Sequence, residues 1–315
     1  MKRHAVIDLG TNTFHLLIAE GGVQTAIHEI YRERRFVRLA EDGIETIGAI
    51  PYQRGLETLL HYRQMLDEYG IPVEQVCAFG TAALRTAANG KGFLNEVLER
   101  TGIKVQLISG EREAELIYKG VILAVPPTEE RMLIMDIGGG SVEFIIAEKQ
   151  AIYWAQSFPI GVAVLYKNFH QHEPILLQET EQLKAYLEYT LSPLRQALEV
   201  SPCRQLAGAS GTFDVLAEFI GTNTANHLHT TASREDFFPF YQQILHLDRE
   251  ERHGLPGVPP ERADMIVVAL ILLEVVLQMA GIQQIITSAY AMKEGMLYEM
   301  MWEGGNEGMC KCMNA

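Results

Sequence analysis

Two short stretches hold the residues best suited to an anion. Gly138-Gly139-Gly140-Ser141 puts successive backbone N–H groups in a turn with no β-carbons in the way, and such groups form an anion-binding nest. Gly10-Thr11-Asn12-Thr13 is a turn of equal length carrying hydroxyls and an amide. An acid precedes each turn, Asp136 or Asp8, and Glu143 follows the second. Carboxylates at a strand end beside bound phosphate suit Mg²⁺, which takes one or two of them and completes its shell with water and phosphate oxygens. Each Asp alone also reads as a turn-stabilising Asx residue, and the glycine run also reads as a structural tight turn. A dinucleotide fingerprint fails, because the third glycine position is Glu143 and an apolar strand follows. No G-x-x-x-x-G-K-[ST] string occurs.

Other candidates lie nearby in the chain. Ser109-Gly110-Glu111-Arg112-Glu113-Ala114-Glu115 opens a helix, where acids are expected from the helix dipole; one Glu there could equally deprotonate a water, and spacing does not choose. Arg85 falls on a helical first turn, an unfavourable place for a cation unless an anion is near. Arg32, Arg34, Arg35 and Arg38 cluster within seven residues. In a strand, Arg32, Arg34 and Arg38 share one face, which reads as a basic lip for a polyanion tail or as a charged, solvated sheet edge. Cys310-Lys311-Cys312 lacks the further ligands of a metal site. His15, which aligns with Glu143, reads as a strand residue rather than a base, and spacing suggests no Ser-His-Asp set.

The elements that must position these groups show an internal repeat. Residues 6–20 (VIDLGTNTFHLLIAE) align without a gap with residues 134–148 (IMDIGGGSVEFIIAE), matching Asp8 with Asp136, Gly10 with Gly138 and Thr13 with Ser141. Each copy reads as a β-hairpin, and two copies suggest duplicated domains facing each other across a cleft. Between them, Leu56, Leu59, Leu60 and Leu66 mark a helix ended by Gly70; Val73–Phe79 and Val105–Ile108 read as strands, and Ala82–Ala88 starts a helix. In the second half, Leu177–Leu198 and Arg262–Met279 read as helical, Leu206–Ala209 and Ile282–Thr287 as strands, and Met292–Trp302 as a last helix. This alternation predicts an α/β fold with mixed sheets. Pro126-Pro127-Thr128-Glu129-Glu130 is the expected boundary, giving domains 1–126 and 127–302 and a tail 303–315.

The composition limits the partners. With 315 residues, 48% hydrophobic, each half can bury an ordinary core. A net charge of −14 argues against a general nucleic-acid binder but leaves room for a local phosphate site. The opening MKRHAVID has no signal-peptide core, the apolar run Met265–Leu273 is too short to span a bilayer, and four cysteines without a disulfide framework fit a cytoplasmic protein with no membrane partner.

Taken in order, Asp8–His15, Thr81-Ala82-Ala83-Leu84-Arg85, Ile108–Ala114, Asp136–Glu143, Gly208-Ala209-Ser210-Gly211-Thr212 and Arg262-Ala263-Asp264 resemble the exopolyphosphatase/guanosine pentaphosphate phosphohydrolase (Ppx/GppA) phosphatases of the sugar-kinase/Hsp70/actin superfamily. The resemblance spans nearly the whole chain. It implies two ribonuclease-H-like domains in an actin-like ATPase architecture with an interdomain cleft. It also implies Glu113 as the base, Arg85 as a phosphate-holding residue, and Asp136 and Glu143 as metal-binding and catalytic acids. Four positions depart from the family pattern: Glu115 and Val164 stand where Arg is usual, Lys293 replaces the Arg of a late Arg-Glu-Gly, and Val142 replaces Thr. The helical HD-type extension of longer members is not expected.

The expected activity is Mg²⁺-dependent hydrolysis of the terminal phosphoanhydride of inorganic polyphosphate by a homodimer. Glu113, Glu143 and Arg85 would be catalytic, and Asp136, Glu143 and Asp8 would hold metal. Gly10–Thr13, Gly138–Ser141 and Ser210-Gly211-Thr212 would hold phosphates. A guanosine pentaphosphate 5′-phosphohydrolase, or a polyphosphate- or nucleotide-binding sensor without turnover, are the alternatives.

Overall fold

The computed structural model describes residues 2–21, 27–126, 129–148, 151–225 and 227–303. The chain divides into two compact units, Met1–Gly120 with Met292–Ala315, and Val121–Ala291.

The first unit begins with an antiparallel meander of β1 (Lys2–Leu9), β2 (Thr13–Gly21) and β3 (His28–Phe36). Helix α1 (Ala49–Glu68) follows, and then β4 (Val76–Gly80), α2 (Ala82–Thr86), α3 (Gly90–Thr101), β5 (Val105–Leu107) and α4 (Gly110–Ala124). The sheet order is β3-β2-β1-β4-β5, with β4 and β5 parallel to β1. Ala5, Val6 and Ile7 are fully buried, as a central strand covered on both faces requires. Leu56, Leu59, Tyr62 and Leu66 form the buried stripe of α1 at helical spacing. Gly70, at φ +68°, ends that helix: its N–H reaches the Asp67 carbonyl and that of Ile71 the Leu66 carbonyl. The stretch from Val73 does not run straight into a strand; Val73–Gln75 form a 3₁₀ turn after Pro72.

The second unit repeats the plan. It contains β6 (Met132–Ile137), β7 (Val142–Glu148), β8 (Ala151–Phe158), α5 (Val162–Phe169), α6 (Leu177–Thr190), α7 (Ser192–Val200), β9 (Gln205–Ala209) and α8 (Gly211–Ile220). It continues with β10 (Thr222–Asn223), β11 (His229–Ser233), α9 (Arg234–His246), α10 (Arg249–Gly254), α11 (Pro260–Ala263), α12 (Ile266–Ala280) and β12 (Gln284–Ser288). In the sheet order β10-β11-β12-β9-β6-β7-β8, the five strands β8-β7-β6-β9-β12 reproduce the first unit's pattern, three antiparallel and two parallel. The two mixed sheets confirm the expected α/β fold. The predicted helix from Arg262 is divided at Asp264–Met265 into α11 and α12. Every residue from Ile266 to Leu277 is buried, so the longest apolar run is the central core helix of this unit.

The last helix, α13 (Met292–Tyr298), continues as a π turn over Glu299–Glu303 and groups with the first unit, although the sequence places it with the second half. A β-carbon on Gly295 would lie 1.9 Å from the Leu116 carbonyl oxygen of α4, so this packing needs glycine. Among the described residues no helix is long and apolar enough to cross a membrane. Cys310, Cys312 and the rest of the predicted tail beyond Glu303 lie outside the described residues.

Candidate active site

In each unit the candidate groups gather at the carboxyl ends of the parallel strands, where open α/β sheets place ligands.

In the first unit, β1 leads into the Gly10–Thr13 turn, which is closed by the Gly10 N–H donating to the Thr13 carbonyl at 3.0 Å. The turn is braced from behind by extended chain: Val37 and Arg38 N–H both donate to the Asn12 carbonyl at 2.9 Å, and Leu39 N–H to that of Thr11 at 2.8 Å. Arg38 adopts a left-handed φ of 51° in this brace, beyond the end of β3, so it does not share a strand face with Arg32 and Arg34. The Thr11 side chain is buried, and among the described residues its Oγ1 has no hydrogen-bond partner.

Beside this turn, β4 pairs in parallel with β1 and ends at Gly80, opposite Leu9. Arg85 on α2 turns its Nη1 to two acceptors, the Ile108 carbonyl at 2.7 Å and Glu113 Oε2 at 3.0 Å. Glu113 is buried on the first turn of α4, whose start is capped by the Ser109 hydroxyl. This separates the acids that spacing left equal. Glu111 is exposed, and hydrogen bonds from its own backbone N–H and from Ser109 hold its carboxyl below the usual range, so it serves the helix end. Glu115 is exposed and paired with Arg112 at 2.9 Å. Glu113 alone of the three is buried against the predicted phosphate-holding arginine.

The arginines of the cluster are engaged within the fold, while Arg32 and Arg34 stay exposed on the edge strand β3. Arg32 Nη2 donates to Glu294 Oε1 at 3.0 Å and pairs with Glu29; Arg35 pairs with Glu33 at 2.7 Å; Arg34 lies 5.1 Å from the centre of the Phe36 ring. Glu294, fully buried, also meets Lys293 at 3.3 Å, so the Lys293-Glu294-Gly295 stretch anchors α13 through charge and a close approach.

In the second unit, the Gly138–Ser141 turn closes in the same way, Gly138 N–H to the Ser141 carbonyl at 3.0 Å. Here the brace is a helix end. Val162 and Ala163, the first residues of α5, donate their N–H groups to the Gly138 and Gly139 carbonyls at 3.0 Å. These are donors that a helix start leaves without intrahelical partners. Gly161 makes the approach feasible, since a β-carbon there would lie 2.3 Å from the Gly139 backbone. Val164 sits half-buried in the first turn of α5.

Asp136 and Glu143 face each other across β6 and β7, and Glu143 faces Ser157 on β8. Directly opposed residues project to one face, so the three form a row. Both carboxylates are buried, and the Ser157 hydroxyl donates to Glu143 Oε1 at 2.6 Å. Among the described residues no group of three or more His, Cys, Asp and Glu side chains could hold a metal ion. A row of two carboxylates and a hydroxyl still matches the all-oxygen, incomplete ligand set that Mg²⁺ takes from proteins.

Alongside, Ala209, the last residue of β9, pairs with Asp136, and Ser210 follows with a left-handed φ of 69° before α8 begins at Gly211. The guanidinium of Arg262 packs against Gly211, where a β-carbon would come within 1.3 Å of its Nη1, and it donates to Asp214 Oδ2 at 3.1 Å. In the sequence Arg262 stands only within the Arg262-Ala263-Asp264 motif; its contact across some 50 residues is not visible in spacing. The segment behind it is clamped by α10: Arg249 and His253 both bond Asp264, and the buried Arg252 bonds the Ala263 carbonyl and Glu173.

Two mixed-sheet units, each built on three antiparallel and two parallel strands, define an actin-like architecture. The model of the "Ppx/GppA phosphatase family" matches residues 17–303, and the chain belongs to that family. It is 38% identical to an exopolyphosphatase of known structure from Cytophaga hutchinsonii, with a TM-score of 0.91 over 98% of this chain and 100% of that one. An Aquifex aeolicus PPX-GPPA enzyme is 25% identical, with a TM-score of 0.76 over 94% of this chain and 98% of that one. A curated relative from Vibrio vulnificus (strain YJ016), a guanosine-5′-triphosphate,3′-diphosphate pyrophosphatase, is 31% identical over 95% of this chain. This chain spans 59% of that relative's length.

Proposed function

We propose that the protein hydrolyses the terminal phosphoanhydride of inorganic polyphosphate with Mg²⁺. The observation that carries this reading is Glu113, buried and in contact with Arg85 at 3.0 Å at the carboxyl end of the first unit's parallel strands. Glu113 takes a proton from the attacking water, and Arg85 holds the phosphate under attack. The Gly10–Thr13 and Gly138–Ser141 turns and Ser210-Gly211-Thr212 hold phosphate oxygens through backbone N–H groups and hydroxyls. Asp136 and Glu143 would hold Mg²⁺, with Asp8 the equivalent acid of the first repeat. When bound, the ion supplies charge neutralisation for the phosphoryl group. Phosphoryl transfer asks mainly for such positioning and charge stabilisation.

The exopolyphosphatase from Cytophaga hutchinsonii, matched over its whole length, favours polyphosphate. The name of the Vibrio vulnificus relative favours guanosine pentaphosphate as the second reading. The test is phosphate release from long polyphosphate, tripolyphosphate and guanosine pentaphosphate, side by side, with and without Mg²⁺. Release from polyphosphate above the other two is the expected result. Preference for the guanosine substrate would replace the reading, and binding without release would make the protein a sensor.

A further inference from the structure

Thr13 and His15 lie two residues apart on β2, and residues so spaced project to the same side of a strand. Thr13 Oγ1 and His15 Nε2 are 3.2 Å apart and share a hydrogen bond. The imidazole is held in a row, directly opposite Asp8 on β1 and Arg34 on β3. The Thr13 carbonyl is already engaged by the Gly10 N–H, so the hydroxyl proton is the part of the residue that is still able to turn.

A hydroxyl carries one proton and two lone pairs. To bind an anionic phosphate oxygen it must donate that proton, and its bond to His15 must then use a lone pair. Only a protonated Nε2 satisfies this. An unprotonated Nε2 would draw the hydroxyl proton to itself and leave lone pairs facing the anion. The second unit lacks the device: Glu143 stands at the aligned position, a carboxylate that accepts from Ser157 and cannot donate to Ser141.

We propose that His15 is a positioning residue whose Nε2–H donates to Thr13 Oγ1, aiming the Thr13 hydroxyl at a phosphate oxygen. The inference rests on the reading of Gly10–Thr13 as a phosphate-holding turn. Two measurements on the full chain test it. Nitrogen-15 NMR of the His15 ring, with tripolyphosphate as the probe, should show Nε2 carrying a proton. In steady-state assays, His15→Gln, whose Nε2 replaces the donating nitrogen, should keep a KM close to the parent's. His15→Leu and His15→Asn should raise KM about tenfold, the worth of a hydrogen bond to a charged group. In a Thr13→Ala background, His15→Leu should add no further loss. An unprotonated Nε2 in the presence of tripolyphosphate, or losses that multiply in the double variant, would overturn the role of His15 while leaving the turn's role intact. If Thr13→Ala itself leaves KM unchanged, the turn's assignment falls, and the inference with it.

Discussion

In both units a glycine N–H reaches the carbonyl three residues on at 3.0 Å, and a β-carbon on that glycine would sit 2.9 Å from the same oxygen. The turns are equivalent in backbone and differ in what backs them. Extended chain at Val37–Leu39 braces the first, and the start of α5 braces the second. They differ again in the side chains set across the neighbouring strands: Asp8–His15–Arg34 in one row, Asp136–Glu143–Ser157 in the other. The two units share the backbone geometry of the turn. The row beside the turn differs between the units, an imidazole standing in one where a carboxylate stands in the other.

The largest effects should separate the acids of the two units. Glu113→Gln should lower kcat about 100-fold or more, as expected for loss of a general base, with the Mg²⁺ concentration needed for half-maximal rate unchanged. Glu143→Gln should instead raise that Mg²⁺ requirement. Metal titrations of the rate check both, and a Glu113→Gln variant with a normal rate would remove its role as base.

The braces come next. Gly161→Ala drives a methyl group into the Gly139 backbone and should cost about 1–3 kcal/mol of stability together with a raised KM. Gly10→Ala meets only the Thr13 carbonyl at 2.9 Å and should cost less. Thermal melts and phosphate-release kinetics of the pair would rank the brace contact at Gly161 against the contact within the turn at Gly10; equal costs would erase the distinction.

Arg32→Ala takes a partner from the fully buried Glu294 and should destabilise the protein by about 1–3 kcal/mol, as removing one side of a buried charged hydrogen bond does. It should lower rates on long and short polyphosphate alike, because Arg32 is engaged with Glu294 and Glu29. A selective loss on long chains would restore the lip.

The smallest effect is a pH dependence in the second unit. Burial pushes the His170 imidazole below its ordinary value, against the opposing pull of Glu173. The unfolded chain therefore binds a proton that the folded chain resists, and stability falls as pH drops below about 6.5. Asp264 acts at lower pH. Burial raises its pKa, but hydrogen bonds from Arg249 and His253 outweigh that and hold the carboxyl below its usual range, so the stability it contributes is lost in acid. His170→Gln should flatten the upper part of this dependence in melting curves between pH 7 and 5, while the first unit's Glu299, held low by Arg112 and Lys119 despite burial, leaves that window unaffected.

Much of this was legible because it is local. A hairpin's strands, its turn and the acid before it lie within 15 residues, and the gapless repeat shows them twice. The apolar run that becomes α12 announces its burial by composition alone. Spacing alone did not single out Glu113, which the family resemblance named: Glu111, Glu113 and Glu115 are equivalent as helix-opening acids until packing buries one of them against Arg85, 28 residues away. The partner of Arg32 was not legible for the same reason, since Glu294, which engages it, lies 262 residues distant.

The sequence by itself determined the family, the α/β plan, the duplicated turns and the residue types offered to a phosphate, because periodicity, glycine placement and ordered motifs are properties of neighbouring residues. Only the tertiary structure decided which acid meets Arg85, that the start of α5 holds the glycine turn, that α13 belongs with the first unit, and that His15 bonds Thr13 while Glu143 bonds Ser157. Most of these outcomes depend on burial and on hydrogen-bond partners brought together from distant parts of the chain. Even for neighbours such as Thr13 and His15, the strand geometry sets the face and the fold sets the partner.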